Sequence, residues 1–138
     1  MGEAAARARV LLDSDVVIDF FNGAEPSASA VARLLAERRA CLSAVSVFEL
    51  LAGVTRARRL EAVGTFVAAV QVLPVGADEA CRAAELYTGL KARGALIGNG
   101  DLLIAGTALV HGLALMTRNR EHFERVEGLA FDAVASGP

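Results

Sequence analysis

Three carboxylates fall where three separate strand-to-helix junctions are expected: Asp13 in VLLDSDVVIDFF, Glu49 in LSAVSVFELLAG and Asp101 in GALIGNGDLLIAGTAL. Each follows a short apolar or small-residue run and opens an amphipathic segment. In a parallel α/β sheet such junctions lie along the carboxyl edge of the strands, so acids distant in sequence can converge there. Carboxylates clustered with few basic partners suit hard divalent cations such as Mg²⁺ or Mn²⁺. That combination points towards metal-dependent phosphoryl chemistry.

Each acid also has a purely structural reading. Asp13 and Ser14 suit a helix N-cap, where a side-chain oxygen accepts a free first-turn N–H. Ser46-Val47-Phe48-Glu49 fits the S-x-x-E capping box. Asp101, after Gly98-Asn99-Gly100, complements a helix dipole. Capping does not require the three to meet, whereas metal binding does, and the conjunction favours the metal. Asp15 is open between a helper in the site and a second cap. Asp19, one turn further on, reads as exposed surface unless a metal or a base lies between the two like charges. His111 reads as an ordinary cation in a last helical turn. Arg56, Arg58 and Arg59 form a basic knot facing solvent, phosphates or a partner's acids.

The elements that must position these residues follow from periodicity. Val10–Leu12 reads as a first strand, and Val16, Val17, Phe20 and Phe21 mark a short helix ending near Asn22-Gly23. Val31, Leu34 and Leu35 share a face of a second helix, with Arg38 and Arg39 expected in its last turn. A strand over Ala40–Leu42 leads into Val47, Leu50, Leu51 and Val54, spaced i, i+3, i+4, i+7 as on one helical face. Another helix follows through Leu60, Val63, Phe66, Val67 and Val70, and a third strand over Gln71–Val75. Asp78 and Glu79 open a helix expected to turn Ala80, Cys81, Ala84 and Tyr87 inward. Asp101–His111 is helical and stopped by Gly112, Leu113–Met116 is a fourth strand, and Ala130–Ala133 a fifth. Strands alternating with helices give an α/β sandwich around a mainly parallel sheet.

The 138 residues suit one domain over 1–138, with loose termini at 1–8 and 134–138. With 54% apolar and 22% charged residues the chain has ample material for a core, and six Phe and one Tyr make that core aliphatic. The uncharged run from Leu102 to Thr117 falls short of the ~20 apolar residues a membrane span needs. Asp13, Asp15 and Asp19 interrupt any signal-peptide pattern, so a soluble cytoplasmic protein is expected. Cys41 and Cys81 have apolar neighbours and read as buried reduced thiols. A net charge of −2 argues against nucleic-acid binding by bulk electrostatics, although bound divalent ions would offset the acids.

At these residues the chain resembles the PIN-domain ribonucleases, and within them the VapC-type toxins of bacterial toxin–antitoxin pairs. LLDSDVVIDFFNG is similar to the opening family motif, Ser43 to Gly53 to the S-x-x-S-x-x-E-L-x-x-G motif, and IGNGDLLIAGTAL to the third. TRNREHFERVEGL, from Thr117 to Leu129, is similar to the closing segment. The resemblance implies a three-layer α/β/α fold with a central mainly parallel sheet. It implies that Asp13, Glu49 and Asp101 hold one or two Mg²⁺ or Mn²⁺ ions. Asn119 falls at a fourth, often acidic, position; its neutral amide adds no charge, and Glu121 stands close enough in sequence to substitute. Ser14, Ser43 and Thr117 are candidates to hydrogen-bond the acids or a phosphate, with capping the alternative for the two serines. The implied activity is metal-assisted hydrolysis of RNA, with Asp13 or Asp101 taking the proton. The implied partners are a cognate VapB-like antitoxin and a second copy of the chain, to which Phe20 and Phe21 could contribute apolar contacts if the core does not claim them.

Two rival readings are open. LLDSDVV carries the D-x-D that haloacid-dehalogenase-type phosphatases use after a strand, although Lys91 is the only lysine and Asp101 lacks an acidic neighbour. A PIN-like module that binds RNA or a partner without cleavage is the other, left open by the neutral Asn119.

Overall fold

A computed structural model describes residues 8–134. Four parallel strands form the sheet: β1 (Val10–Leu12), β2 (Ala40–Ser43), β3 (Gln71–Leu73) and β4 (Ala114–Met116). Their order is β3-β2-β1-β4. The helices among the described residues are α1 (Ser14–Asn22), α2 (Ser27–Ala36), α3 (Ala44–Ala52), α4 (Ala57–Ala69), α5 (Ala77–Ala92), α6 (Asn99–His111) and α7 (Arg120–Phe123).

Alternation along strands of three or four residues is enough to build two cores. Leu11, Cys41 and Leu115 face Ala83, Leu86, Leu90, Ile104 and Phe123 on one side of the sheet. Val10, Leu12, Ala40, Leu42 and Met116 face Val17, Val31, Leu34, Leu50 and Phe66 on the other. Helices α1–α4 therefore cover one face and α5–α7 the other, which is the expected three-layer α/β/α arrangement. Register pairs Leu11 with Cys41 on one side and with Leu115 on the other, so β1 is the central strand flanked by β2 and β4. The chain steps outward from β1 through β2 to β3 and then returns to the opposite flank as β4. The order thus reverses at the β1/β4 boundary, the place where open α/β sheets form their ligand crevice.

Several expectations are corrected. Arg38 and Arg39 lie beyond α2, which ends at Ala36; Arg38 turns the chain at φ 56, and Arg39 donates to the Ala8 carbonyl at 2.7 Å and to Glu37. Ala8 is thereby held, and Val134 packs against the α1–α4 core, so both belong to the fold rather than to loose ends. Residues 1–7 and 135–138 lie outside the described residues. Helix α3 buries Ser46 and Leu50, leaves Phe48 and Leu51 exposed, and stops before Val54. The proposed fifth strand is a single parallel bridge between Phe131 and Leu115.

Helix α5 is turned relative to expectation: Glu79, Ala83, Leu86 and Leu90 are inward, whereas Ala80, Cys81, Ala84 and Tyr87 face solvent. The reason is the closeness of α6. A Cβ built at Gly106 would stand 2.9 Å from the Glu79 carbonyl oxygen and 3.0 Å from the Ala83 nitrogen, so the two backbones nearly touch. That contact fixes which alanine faces in. Cys81 is consequently exposed, while Cys41 is buried, and both are free thiols.

Candidate active site

Asp13 ends β1 and caps α1, accepting the Ser14 N–H at 2.8 Å. The capping reading is therefore correct as far as it goes, but it uses one oxygen only. The other accepts the Thr117 hydroxyl at 2.7 Å, from the end of β4 across the switch point. Asp13 is 6% exposed. Burial pushes its carboxyl up to about 7, helped by the Asp15 charge and then Asp101; the Thr117 hydroxyl and Ser14 N–H pull the other way.

Glu49 sits one turn into α3, and here the capping box fails. Ser43 caps the helix by accepting the Val45 N–H at 3.1 Å, while the buried Ser46 hydroxyl has no hydrogen-bond partner. Glu49 instead points across to α1 and accepts the Ser14 hydroxyl at 3.1 Å. Ser14 so ties two of the three acids, its N–H to Asp13 and its hydroxyl to Glu49. The N-terminal turn of α6 closes on the same carboxylate. A Cβ at Gly100 would lie 3.2 Å from Glu49 Oε2, a space glycine leaves clear. Asp101, next in that turn, is half-buried; burial raises its carboxyl, the His122 ring opposes this, and Asp15 adds to it.

The structure thus brings Asp13, Glu49 and Asp101 to one edge of the sheet. Asp19 is corrected from exposed to half-buried: its Oδ2 pairs with Arg118 Nε at 2.8 Å. Arg118 is the intervening base, and its own N–H donates to Asp15 Oδ2 at 3.0 Å. Asn119 is nearby but committed elsewhere. Its N–H returns to Thr117 Oγ1 at 2.9 Å, and its side-chain amide lies 2.8 Å from His122 Nδ1, which is in turn 3.9 Å from Asp101 Oδ2. Glu121 is exposed on α7 and makes none of these contacts. Ser14 and Thr117 are partners of the acids as the sequence suggested, Ser43 takes the capping alternative, and the contacts of Arg118 and His122 were not foreseen. The i, i+3 spacing of Asn119 and His122 was the available signal for the latter.

Among the described residues, no three His, Cys, Asp or Glu side chains close into a ready-made metal cage. The donor set nevertheless suits a hard divalent ion: it is all oxygen, and Asp15 Oδ1 is buried with no hydrogen-bond partner. Asp13, Glu49 and Asp101 are the residues that would hold it.

The PIN domain family model matches residues 10–129. The chain belongs to the PIN-domain family. Ribonuclease VapC10 of Mycobacterium tuberculosis is 34% identical to this PIN domain over 120 residues, covering 87% of this chain and 90% of that protein. Ribonuclease VapC1 of Methanocaldococcus jannaschii is 27% identical over 119 residues, covering 86% and 82%. Among solved structures, DNA-bound VapBC from Salmonella typhimurium superposes with a TM-score of 0.81 at 26% identity, covering 93% of this chain and 99% of that one. The chain is a PIN-domain ribonuclease of the VapC toxin type. Lys91, which a dehalogenase-type phosphatase would need at the strand edge, instead lies over the Tyr87 ring at the end of α5.

Proposed function

We propose that this PIN domain is an Mg²⁺-dependent endoribonuclease in which Asp13, Glu49 and Asp101 hold the ion. The observation that carries the reading is that Ser14 ties Asp13 to Glu49 beside the β1/β4 crevice, with Asp101 in the α6 turn that closes on the same Glu49 carboxylate. The bound ion, which Mn²⁺ can replace, would lower the pKa of an attacking water and neutralise charge on the scissile phosphate. Thr117 and the Ser14 N–H fix both oxygens of Asp13, so its carboxylate is presented at one angle. Ser14 also steers Glu49, and Gly100 leaves room for the second Glu49 oxygen. Asp13 or Asp101 accepts the proton released by the water. Arg56 and Arg58 line a groove of about 440 Å³ with Gly53, one helical turn from Glu49, and offer charge to the flanking phosphates of a single-stranded RNA.

The solved relatives in complex with VapB support a cognate antitoxin as partner. Exposed Ile18, Phe48, Leu51 and Leu60 offer apolar contacts to that partner or to a second copy. Phe20 and Phe21 serve the fold instead, packing on Phe66 with ring centroids 5.7 and 5.6 Å away. No helix among the described residues is long and apolar enough to cross a membrane.

The test is 5′-end mapping of total RNA after incubation with antitoxin-free protein and Mg²⁺, beside Asp101→Asn and EDTA controls. Discrete new ends from the wild type alone are expected, and they also identify the target. Folded, metal-loaded protein that produces no new ends would turn the reading towards a binding module.

A further inference from the structure

Asn119 poses a charge problem. It occupies the position where a fourth acid is expected, and its amide is engaged by His122. Asp15 lies on the first turn of α1, one residue beyond the Ser14 bridge. Its Oδ2 accepts the Arg118 N–H at 3.0 Å and stands 3.5 Å from the Thr117 hydroxyl that donates to Asp13. Asp13 and Asp15 therefore meet at one hydroxyl. Its Oδ1 is buried and has no hydrogen-bond partner. A carboxylate oxygen in that condition is costly unless a cation or proton reaches it. The Arg118 guanidinium pairs with Asp19 at 2.8 Å, and its charge offsets only part of what burial does to Asp15.

We propose that Asp15 supplies the fourth negative charge of the site, its Oδ1 facing the bound cation in place of the neutral Asn119. The inference rests on the metal-dependent reading above and adds a residue to it. A structural role has a different signature. If Asp15 only clamps the turn after β4 through the Arg118 N–H, an asparagine there keeps the acceptor and changes nothing else.

The experiment is Mn²⁺ binding to the full-length protein, followed calorimetrically, for wild type, Asp15→Asn, Asp101→Asn and the double variant Asp15→Asn/Asn119→Asp. Thermal melts without metal are run alongside. Asp15→Asn is expected to melt no lower than wild type and to bind Mn²⁺ roughly tenfold more weakly or worse. Returning a carboxylate at position 119 is expected to recover part of that loss. Unchanged Mn²⁺ affinity in Asp15→Asn, with Asp101→Asn crippled, overturns the role of Asp15 and leaves the three-acid reading standing. Wild-type affinity in Asp101→Asn overturns both. If Asp15→Asn fails to fold, Asp15→Ser carries the same comparison.

Discussion

Two buried carboxylate environments in this molecule differ in one respect. Glu79, at the start of α5, accepts the Gly76 N–H at 2.9 Å through one oxygen and meets His111 Nε2 at 2.8 Å through the other. Gly76 has no side chain to reciprocate, so this is half of a capping box. Its own N–H, the His111 ring and the Gly76 N–H together hold its carboxyl below the ordinary range. Asp13, Asp15 and Asp101 lie across the sheet edge, and burial drives all three upward. Glu79 is matched by groups of the chain itself and pins α5 to the end of α6. The site acids are raised instead, and on the proposed reading a divalent cation would offset that burial.

The comparison breaks most visibly at Asp13. Replacing it with asparagine should reduce RNA cleavage by about 10²-fold or more without lowering the metal-free melting temperature. A fall in stability equal to that of a core truncation would place Asp13 with Glu79 instead.

Titration gives the next largest effect. The Asp13 carboxyl ionises near 7 in the fold against 3.8 ordinarily, so between those values the folded chain keeps a proton the unfolded chain has released. Metal-free stability should therefore fall as pH rises from about 4 to about 7, by on the order of 1–4 kcal/mol. Saturating Mg²⁺ should flatten or reverse that slope. Denaturant melts across the window, with and without the ion, read it directly. Glu79 contributes in the opposite sense: its lowered pKa gives stability that is present above the ordinary carboxylate range and lost on acidification.

The helix pair that carries Glu79 can be attacked through its backbone. Gly106→Ala inserts a methyl where the Glu79 carbonyl and Ala83 nitrogen stand 2.9 and 3.0 Å away, so α5 must move. A loss of about 1–3 kcal/mol is expected. Glu79→Ala should lower the melting temperature by less, and it should leave Mn²⁺ affinity unchanged. Smallest is Gly100→Ala, whose methyl would meet Glu49 Oε2 at 3.2 Å. It should weaken Mn²⁺ binding severalfold at most and barely shift the melt.

How much of this was legible in the chain divides along the same line. The strand positions followed from short apolar runs, and the strand–helix alternation gave the layers. Of the three acids, however, only Asp13 stands at a strand-to-helix junction: Glu49 lies in the second turn of α3, and Asp101 opens α6 after α5 with no strand between. The family motifs around Asp13, Glu49 and Asp101 then assembled the site. The facing of α5 did not follow, because alanines crowd both of its sides and the deciding contact is a backbone approach at Gly106. The capping box at Ser46–Glu49 misled because S-x-x-E occurs one turn too late: Ser43 had already capped the helix. Asp19 was left open between surface and a paired charge, because its partner Arg118 is distant in sequence and arrives only when β4 pairs with β1. Local chemistry is readable from a chain; the long-range partner that neutralises a given charge is not.

Anomalous diffraction from crystals soaked in Mn²⁺ tests the central claim most directly. The account predicts a peak at about 2.0–2.3 Å from carboxylate oxygens of Asp13 and Asp101, and none between Glu79 and His111. A peak at Glu79 and His111, or none at the sheet edge under saturating Mn²⁺, would contradict it.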